Sequence, residues 1–164
     1  MTSRLEWVVE GGGTELRVKI RGSVDEFSEF APLLSELADK THVRLDLSDI
    51  ERINSCGVRE WVNFMRAIPA QLNVQLERCS PPMVSQINMI ANFVGTARVA
   101  SVEAPFVCGA CGHEEDVLLS VEAGTVPSVT EQRCSKCGDA TELDDFEESY
   151  FGFLTRRSGN GRRA

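Results

Sequence analysis

Four of the six cysteines occur in two copies of one short motif, and this feature constrains the fold more than any other. The motif is Cys-x-x-Cys-Gly, found at residues 108–112 and again at residues 134–138. Two thiolates three positions apart on a tight turn can bind one metal ion, and the glycine permits the positive φ that such turns often need. The two motifs therefore predict one structural zinc ion with four ligands: Cys108, Cys111, Cys134 and Cys137.

The metal is expected to fold a small module and not to catalyse a reaction. Four thiolates close the coordination shell of zinc, so His113 is interpreted as a neighbour of the site and not as a ligand. A module of about 40 residues is too small to hold a core alone. Between the motifs, apolar residues at 117–121 and 126–129 predict a β-hairpin. This hairpin would carry both Cys-x-x-Cys-Gly turns, which are called knuckles below. Iron in the same site and a redox-active dithiol are the alternatives.

The negative charge of the chain limits the partners that it can bind. The formal net charge is −8, and residues 105–155 contain eleven Asp and Glu against only Arg133 and Lys136. Binding to nucleic acid or to an anionic membrane needs clustered Lys and Arg, so both are disfavoured. The sequence shows no signal peptide and no apolar run of the ~18–20 residues that a membrane span needs. We therefore expect a cytoplasmic protein, whose reduced cysteines bind metal and do not form disulfides.

Hydrophobic periodicity predicts an α/β domain over residues 1–104. Residues 14–21 alternate polar and apolar as a half-buried strand does, and residues 27–38 carry an apolar stripe at helical spacing. Similar patterns give the order β-β-α-β-α-β-α-β, which favours a sheet covered by helices. The rest of the chain is assigned to a zinc ribbon at residues 105–143, and to an acidic and aromatic segment with a basic, disordered tail at residues 144–164.

Two groups of apolar residues allow more than one interpretation. The aromatic residues at 144–154 are expected to fold back onto their own module, and the alternative is a linear motif that docks on a basic groove. Met83, Met89 and Phe93 are expected to lie partly off the buried face of the third helix and to add an exposed apolar patch.

Residues 43–58, with the sequence Val-Arg-Leu-Asp-Leu-Ser-Asp-Ile-Glu-Arg-Ile-Asn-Ser-Cys-Gly-Val, carry a family resemblance. The segment resembles the signature of STAS domains, which are named for sulphate transporters and anti-sigma factor antagonists. The family pattern is a strand that ends in Asp-Leu-Ser, a short loop, and Asp-Ser-Ser-Gly at the start of a helix. Residues 22–25 (Gly-Ser-Val-Asp) and 79–81 (Cys-Ser-Pro) are also similar to family motifs. The resemblance covers residues 10 to about 103, not the ribbon, and implies a STAS-like mixed β-sheet packed against helices.

The same resemblance implies a regulatory serine. In bacterial anti-sigma factor antagonists the first serine after that Asp is phosphorylated by a partner kinase, and phosphorylation releases the partner; the matching residue here is Ser55. Asn54 stands where the family usually has Asp, and Cys56 replaces the second serine. A phosphate here would lie at a helix N-terminus, where free N–H groups and the helix dipole stabilise negative charge. The alternative is that Ser55 only caps the helix.

Taken together, these features favour a non-enzymatic signalling protein. The sequence contains no recognisable nucleophile–base pair and no phosphate-binding Gly-x-x-x-x-Gly-Lys loop. The resemblance implies a protein partner, an anti-sigma factor or a serine kinase, bound through the surface around Ser55. Six further residues are expected to share this surface: Asp25, Asp46, Asp49, Asn54, Cys56 and Gly57. The three aspartates among them are expected to be neighbours on one loop edge. The alternatives are a zinc-ribbon nucleic-acid or transcription accessory protein, and an unphosphorylated scaffold or adaptor.

Overall fold

The first part of the chain forms a mixed five-stranded sheet with the order β1-β2-β3-β4-β5. The computed structural model describes residues 4–155. The strands are β1 (Glu6–Gly12), β2 (Glu15–Val24), β3 (His42–Ile53), β4 (Asn73–Glu77) and β5 (Arg98–Val99). β1 pairs antiparallel with β2, and the other neighbours in the sheet are parallel. Three helices connect the strands: α1 (Ala31–Leu37), α2 (Ser55–Ala67) and α3 (Pro81–Met89).

The helices cover the face of the sheet that the alternating apolar residues predict. In β2, Leu16, Val18 and Ile20 are buried while the residues between them are exposed. Trp61 of α2 is fully buried in this core and donates a hydrogen bond from Nε1 to the carbonyl of Phe93 at 2.9 Å. The observed order β-β-α-β-α-β-α-β confirms the predicted α/β class.

A second, smaller sheet follows, in which β6 (Ser101–Cys108) lies between β7 (Glu114–Ser120) and β8 (Thr141–Leu143). Both neighbours pair antiparallel with β6. The predicted hairpin of 117–121 with 126–129 is wrong, because residues 126–129 form no strand and β7 pairs with β6 instead. Pro127 within that segment has no N–H to donate to a ladder, which disfavours a strand there.

Strand β6 connects the two sheets without an intervening linker. It follows β5 directly, and the N–H of Cys79 donates to the carbonyl of Ser101 at 3.2 Å. Val102, Ala104 and Phe106 of β6 belong to the same apolar core as the first sheet. The boundary expected between residues 104 and 105 therefore falls inside a strand whose buried residues continue across it.

The C-terminal aromatic segment folds back onto the rest of the protein. It contains α4 (Glu147–Tyr150), and its buried side chains are Tyr150, Phe151, Phe153 and Leu154. The segment packs on α3 and β6, so its contacts reach beyond the metal module. The exception is Phe146, which is 81% exposed. The basic tail predicted to be disordered, with Arg156, Arg157, Arg162 and Arg163, lies outside the described residues.

Two helices are shorter than their apolar stripes suggest. α1 begins at Ala31, so Phe27 lies in the preceding turn, and α3 ends at Met89. Of the three residues expected to form an exposed patch, Met83 and Phe93 are buried and only Met89 is exposed, because the chain turns after α3 and returns Phe93 to the core. None of the helices between residues 4 and 155 has the length and apolar character needed to cross a membrane.

Candidate metal centre and partner-binding surface

The four cysteines of the two motifs meet at one point. Their Sγ atoms all lie within 4.8 Å of one another, with 3.5 Å between Cys108 and Cys137 and 3.7 Å between Cys111 and Cys134. Four sulfur ligands placed tetrahedrally about 2.3 Å from zinc would lie about 3.8 Å apart. The sulfur positions are therefore compatible with a tetrahedral metal ion. His113 is not part of this cluster.

Each knuckle is a tight turn that closes one hydrogen-bonded loop. The N–H of Gly112 donates to the carbonyl of Cys108, and the N–H of Gly138 donates to the carbonyl of Cys134, each at 2.9 Å. Both glycines have positive φ, +74° and +81°, which explains why the motif ends in glycine. The first knuckle joins β6 to β7, and the second lies between Arg133 and Ala140, which pair as an isolated β-bridge.

Backbone N–H groups point at two of the four sulfurs, those of Cys134 and Cys108, and favour their thiolates. The N–H of Lys136 donates to Sγ of Cys134 at 3.4 Å. The N–H of Cys111 stabilises the Cys108 thiolate and lowers the pKa of that thiol to about 7. Cys108 and Cys134 are buried, whereas Cys111 and Cys137 are exposed, so the cluster lies at the protein surface. The donor set can bind a metal ion that prefers thiolate.

The predicted switch residue lies at the start of α2, with its side chain exposed. The alternative that Ser55 caps the helix is wrong, because the N-cap is Asn54, whose Oδ1 accepts the N–H of Gly57 at 2.7 Å. Asn54 has the extended conformation of an N-cap residue, and Ser55 is the first residue inside the helix. Within residues 4–155 the Ser55 hydroxyl makes no hydrogen bond.

The turn after β2 lies against this end of α2. Nδ2 of Asn54 donates to Oε2 of Glu26 at 2.9 Å, and this hydrogen bond lowers the pKa of the Glu26 carboxyl below its ordinary value. The N–H of Asn54 also donates to the carbonyl of Val24 at 3.2 Å. A Cβ on Gly57 would lie 2.0 Å from that carbonyl oxygen, so only glycine permits this approach. Asp25, which follows Val24, therefore lies beside residues 54–57.

Asp46 and Asp49 do not belong to this surface, which corrects the sequence interpretation. Residues 48–53, expected to form a loop, continue β3 by pairing with β2. At ~3.3 Å per residue, Asp46 and Asp49 precede the end of β3 at Ile53 by roughly 23 and 13 Å. The two aspartates are therefore separated from Ser55 along the strand.

Their contacts give the two aspartates other roles. Asp46 is 2% exposed, and its Oδ1 accepts hydrogen bonds from the N–H and hydroxyl of Ser48. Asp49 pairs with Lys19 at 3.1 Å and lines a cleft of about 500 Å³ beside the start of α3. Asp46 is thus a structural carboxylate, and Asp49 belongs to a different part of the surface.

Two residues near Ser55 were missed by the sequence interpretation. Glu26 and Phe27 lie in the turn of residues 25–28, where Oδ1 of Asp25 accepts the N–H of Phe27 at 2.9 Å. Aspartate often makes such a hydrogen bond two residues along the chain, so a turn could have been predicted from Asp25. The contact from Glu26 to Asn54 joins segments 28 positions apart and has no local signal.

Comparisons with known proteins give similarities among solved structures only. No protein-family model matches the sequence, and no curated protein matches it. Among solved structures, the chain is similar to that of the anti-sigma factor antagonist SpoIIAA in its unphosphorylated form, with 14% sequence identity and a TM-score of 0.43. The match covers 58% of this chain and 88% of that chain.

Proposed function

We propose that this chain is a non-enzymatic regulatory protein that binds a protein partner through the surface around Ser55, and that phosphorylation of Ser55 controls the binding. The observation that carries the proposal is the division of roles at the start of α2. Asn54 makes the capping hydrogen bond, so the exposed Ser55 hydroxyl is available to a kinase. A serine used as the cap would have its oxygen engaged with the backbone.

The first turn of α2 also suits a phosphate. A helix leaves its first N–H groups without partners inside the helix, and Asn54 satisfies only that of Gly57 by its side chain. The positive end of the helix dipole adds to this stabilisation. The phosphate brings a charge of about −1.5 to −2 next to Asn54, whose amide already binds the carboxylate of Glu26. Repulsion between the two negative groups would change the shape and charge of the surface.

We also propose that the four cysteines hold one structural zinc ion. The thiolate set and the near-tetrahedral sulfur spacing support zinc over metals that prefer oxygen ligands. All four ligand positions are filled by protein side chains, so the ion would connect the β6–β7 turn to the knuckle at 134–138. The charge of residues 105–155 makes nucleic acid a poor partner for this module, and a gel-shift assay at physiological salt should show no saturable binding.

The phospho-control is tested with paired variants in a pull-down from host lysate, followed by affinity measurements on the retained partner. Ser55→Ala should bind as the wild type does, whereas Ser55→Glu should bind about tenfold more weakly or worse. Ser85→Ala and Ser85→Glu are the matched controls, because Ser85 is an exposed helical serine on α3. Equal binding by Ser55→Ala and Ser55→Glu, with no phosphate found at Ser55 in the host, would leave an adaptor without phospho-control.

A further inference from the structure

Phe27 is an exposed aromatic residue on a turn whose backbone is held by hydrogen bonds. Its side chain is 73% exposed. Its N–H donates to Oδ1 of Asp25, and the N–H of Asp25 donates to Oγ of Ser28, each at 2.9 Å. The N–H of Ser28 closes the turn on the carbonyl of Asp25 at 3.1 Å, and the Ser28 side chain is buried. The ring is thus presented to solvent from a fixed backbone.

The Phe27 turn is joined to the surface around Ser55. Glu26, the residue before Phe27, accepts the hydrogen bond from Asn54, which is the residue before Ser55. The backbone of Asn54 is bonded to Val24 at the end of β2 as well. Two separate contacts therefore hold the turn against the first residues of α2, and Phe27 and Ser55 lie on one surface.

The chain segment that carries Phe27 is acidic, and the basic residue opposite its start is Arg52, which pairs with Ser23 across β2 and β3. Residues 23–30 contain Asp25, Glu26 and Glu29 and no Lys or Arg. Glu26 and Glu29 are exposed, and Asp25 is half-buried. An aromatic side chain within an acidic rim is complementary to an apolar pocket with a basic rim.

We propose that Phe27 is the apolar anchor of the partner-binding surface, and that the partner presents an apolar pocket rimmed by Lys or Arg side chains. The proposal rests on the proposed function, because it takes the surface around Ser55 as the docking surface. Aromatic residues with few rotatable bonds are common energetic centres of interfaces. A turn already fixed by hydrogen bonds loses little backbone entropy on binding.

The first test is photo-crosslinking in the host from Phe27→p-benzoylphenylalanine. Phe146→p-benzoylphenylalanine is the matched control, since Phe146 is 81% exposed and also lies among acidic residues. Position 27 should give an adduct that position 146 does not, and mass spectrometry should place it in an apolar segment of the partner with Lys or Arg nearby. The absence of an adduct from position 27, or the same adducts from both positions, would overturn the proposal.

The crosslinked adduct identifies the partner, which is then purified in its free form. The second test measures the affinity of this partner for variants of the full chain. Phe27→Ala should weaken binding about 30-fold, as for the aromatic centre of an interface, and Phe146→Ala should change it less than about twofold. The affinity should also fall as salt is raised, because the rim contact is between opposite charges. Phe27→Ala should leave the circular dichroism spectrum unchanged, since the side chain it removes is exposed.

The two tests separate this proposal from the proposed function. Weak binding by Phe27→Ala with normal binding by Ser55→Glu retains the anchor and removes the phospho-control. Weak binding by Ser55→Glu with normal binding by Phe27→Ala retains the switch and overturns the anchor. An affinity independent of salt would overturn the basic rim.

Discussion

The side-chain amide of Asn54 makes a different contact with each of its two ends. Oδ1 accepts the N–H of Gly57 at 2.7 Å and caps α2, while Nδ2 donates to Glu26 at 2.9 Å and holds the turn that carries Phe27. An aspartate at this position would accept the first hydrogen bond but could not donate the second. Because of this difference, substitution can separate the cap from the contact with the turn.

We predict that Asn54→Ala destabilises the protein by about 1 kcal/mol, the usual cost of a lost N-cap. Asn54→Asp keeps the cap but places a carboxylate beside that of Glu26, so the stabilities of the two variants are compared in a Glu26→Gln background, where Asn54→Asp should cost much less. Both variants remove the donor to Glu26, so the pKa of the Glu26 carboxyl should rise in each relative to the wild type. Urea unfolding gives the stabilities, and carboxyl chemical shifts against pH give the pKa. In the Glu26→Gln background, an Asn54→Asp protein as unstable as Asn54→Ala would contradict the assignment of the cap.

The Glu26 contact also has a definite pH dependence. The hydrogen bond from Asn54 lowers the folded-state pKa of Glu26, so its stabilising effect is present above the pKa of the unfolded chain. That effect is lost as the pH falls through the folded-state pKa. The contact between Asn54 and Glu26 should therefore weaken at acid pH, while the backbone hydrogen bond from Asn54 to Val24 continues to hold the turn.

At the scale of elements, α3 holds the C-terminal segment by one side chain. Nδ2 of Asn88 donates to the carbonyl of Tyr150 at 2.9 Å, and Oδ1 accepts the N–H of Phe153 at 2.8 Å. The hydroxyl of Tyr150 donates to the carbonyl of Glu103 in β6, and burial raises the pKa of that hydroxyl. The segment therefore joins α3 to β6.

We predict that Asn88→Ala destabilises the protein by about 2–3 kcal/mol, because it leaves a backbone carbonyl and an N–H without their partners. Asn92→Ala, in the exposed turn after α3, is the control and should cost less than about 0.5 kcal/mol. Urea unfolding measures both changes. Hydrogen exchange of the Phe153 N–H reports the segment directly, and an unchanged exchange rate in Asn88→Ala would contradict the role of Asn88.

At the scale of the whole molecule, Arg78 and β6 connect the two sheets. Arg78 has φ +52°, which is uncommon for a residue other than glycine, and its N–H donates to Oγ of Ser101 at 2.8 Å. Its guanidinium donates to Glu103 at 3.0 Å. From there β6 runs through the shared core to Cys108, so one strand carries both core residues and a metal ligand. Loss of the metal should therefore destabilise the shared core as well as the two knuckles.

We predict about one zinc ion per chain by elemental analysis after purification under reducing conditions. Chelation should lower the midpoint of a single thermal unfolding transition. A decrease of about 4 kcal/mol in the free energy of unfolding corresponds to a shift of roughly 10 °C in a chain of this size. A Cys134→Ser, Cys137→Ser double variant should reproduce the effect without chelator. Two unfolding transitions, with the larger one unchanged by the chelator, would indicate separate domains. Elemental analysis that finds no metal, or finds iron, would contradict the assignment of zinc.

The sequence by itself determined the features that depend on a few neighbouring residues. Alternation with a period of two predicted β2, and apolar residues at helical spacing predicted α2, because these periods set which side chains share a face. The motifs at 108–112 and 134–138 predicted a cysteine cluster, since that spacing suits a tight turn and a metal ion. The order of elements followed from the same local patterns.

Only the tertiary structure decided which distant segments meet. The alternation in β7 fits a partner at 126–129 as well as it fits β6, and packing against the shared core selects β6. Asp46 was placed at a loop edge by its motif, but pairing of β3 with β2 extends the strand and buries it. The exposure of Phe27 likewise depends on where α1 begins and on the hydrogen bond that Asn54 donates to Glu26, 28 positions away. A local pattern specifies the face of an element, whereas the partner is chosen by burial and hydrogen bonding summed over the whole chain.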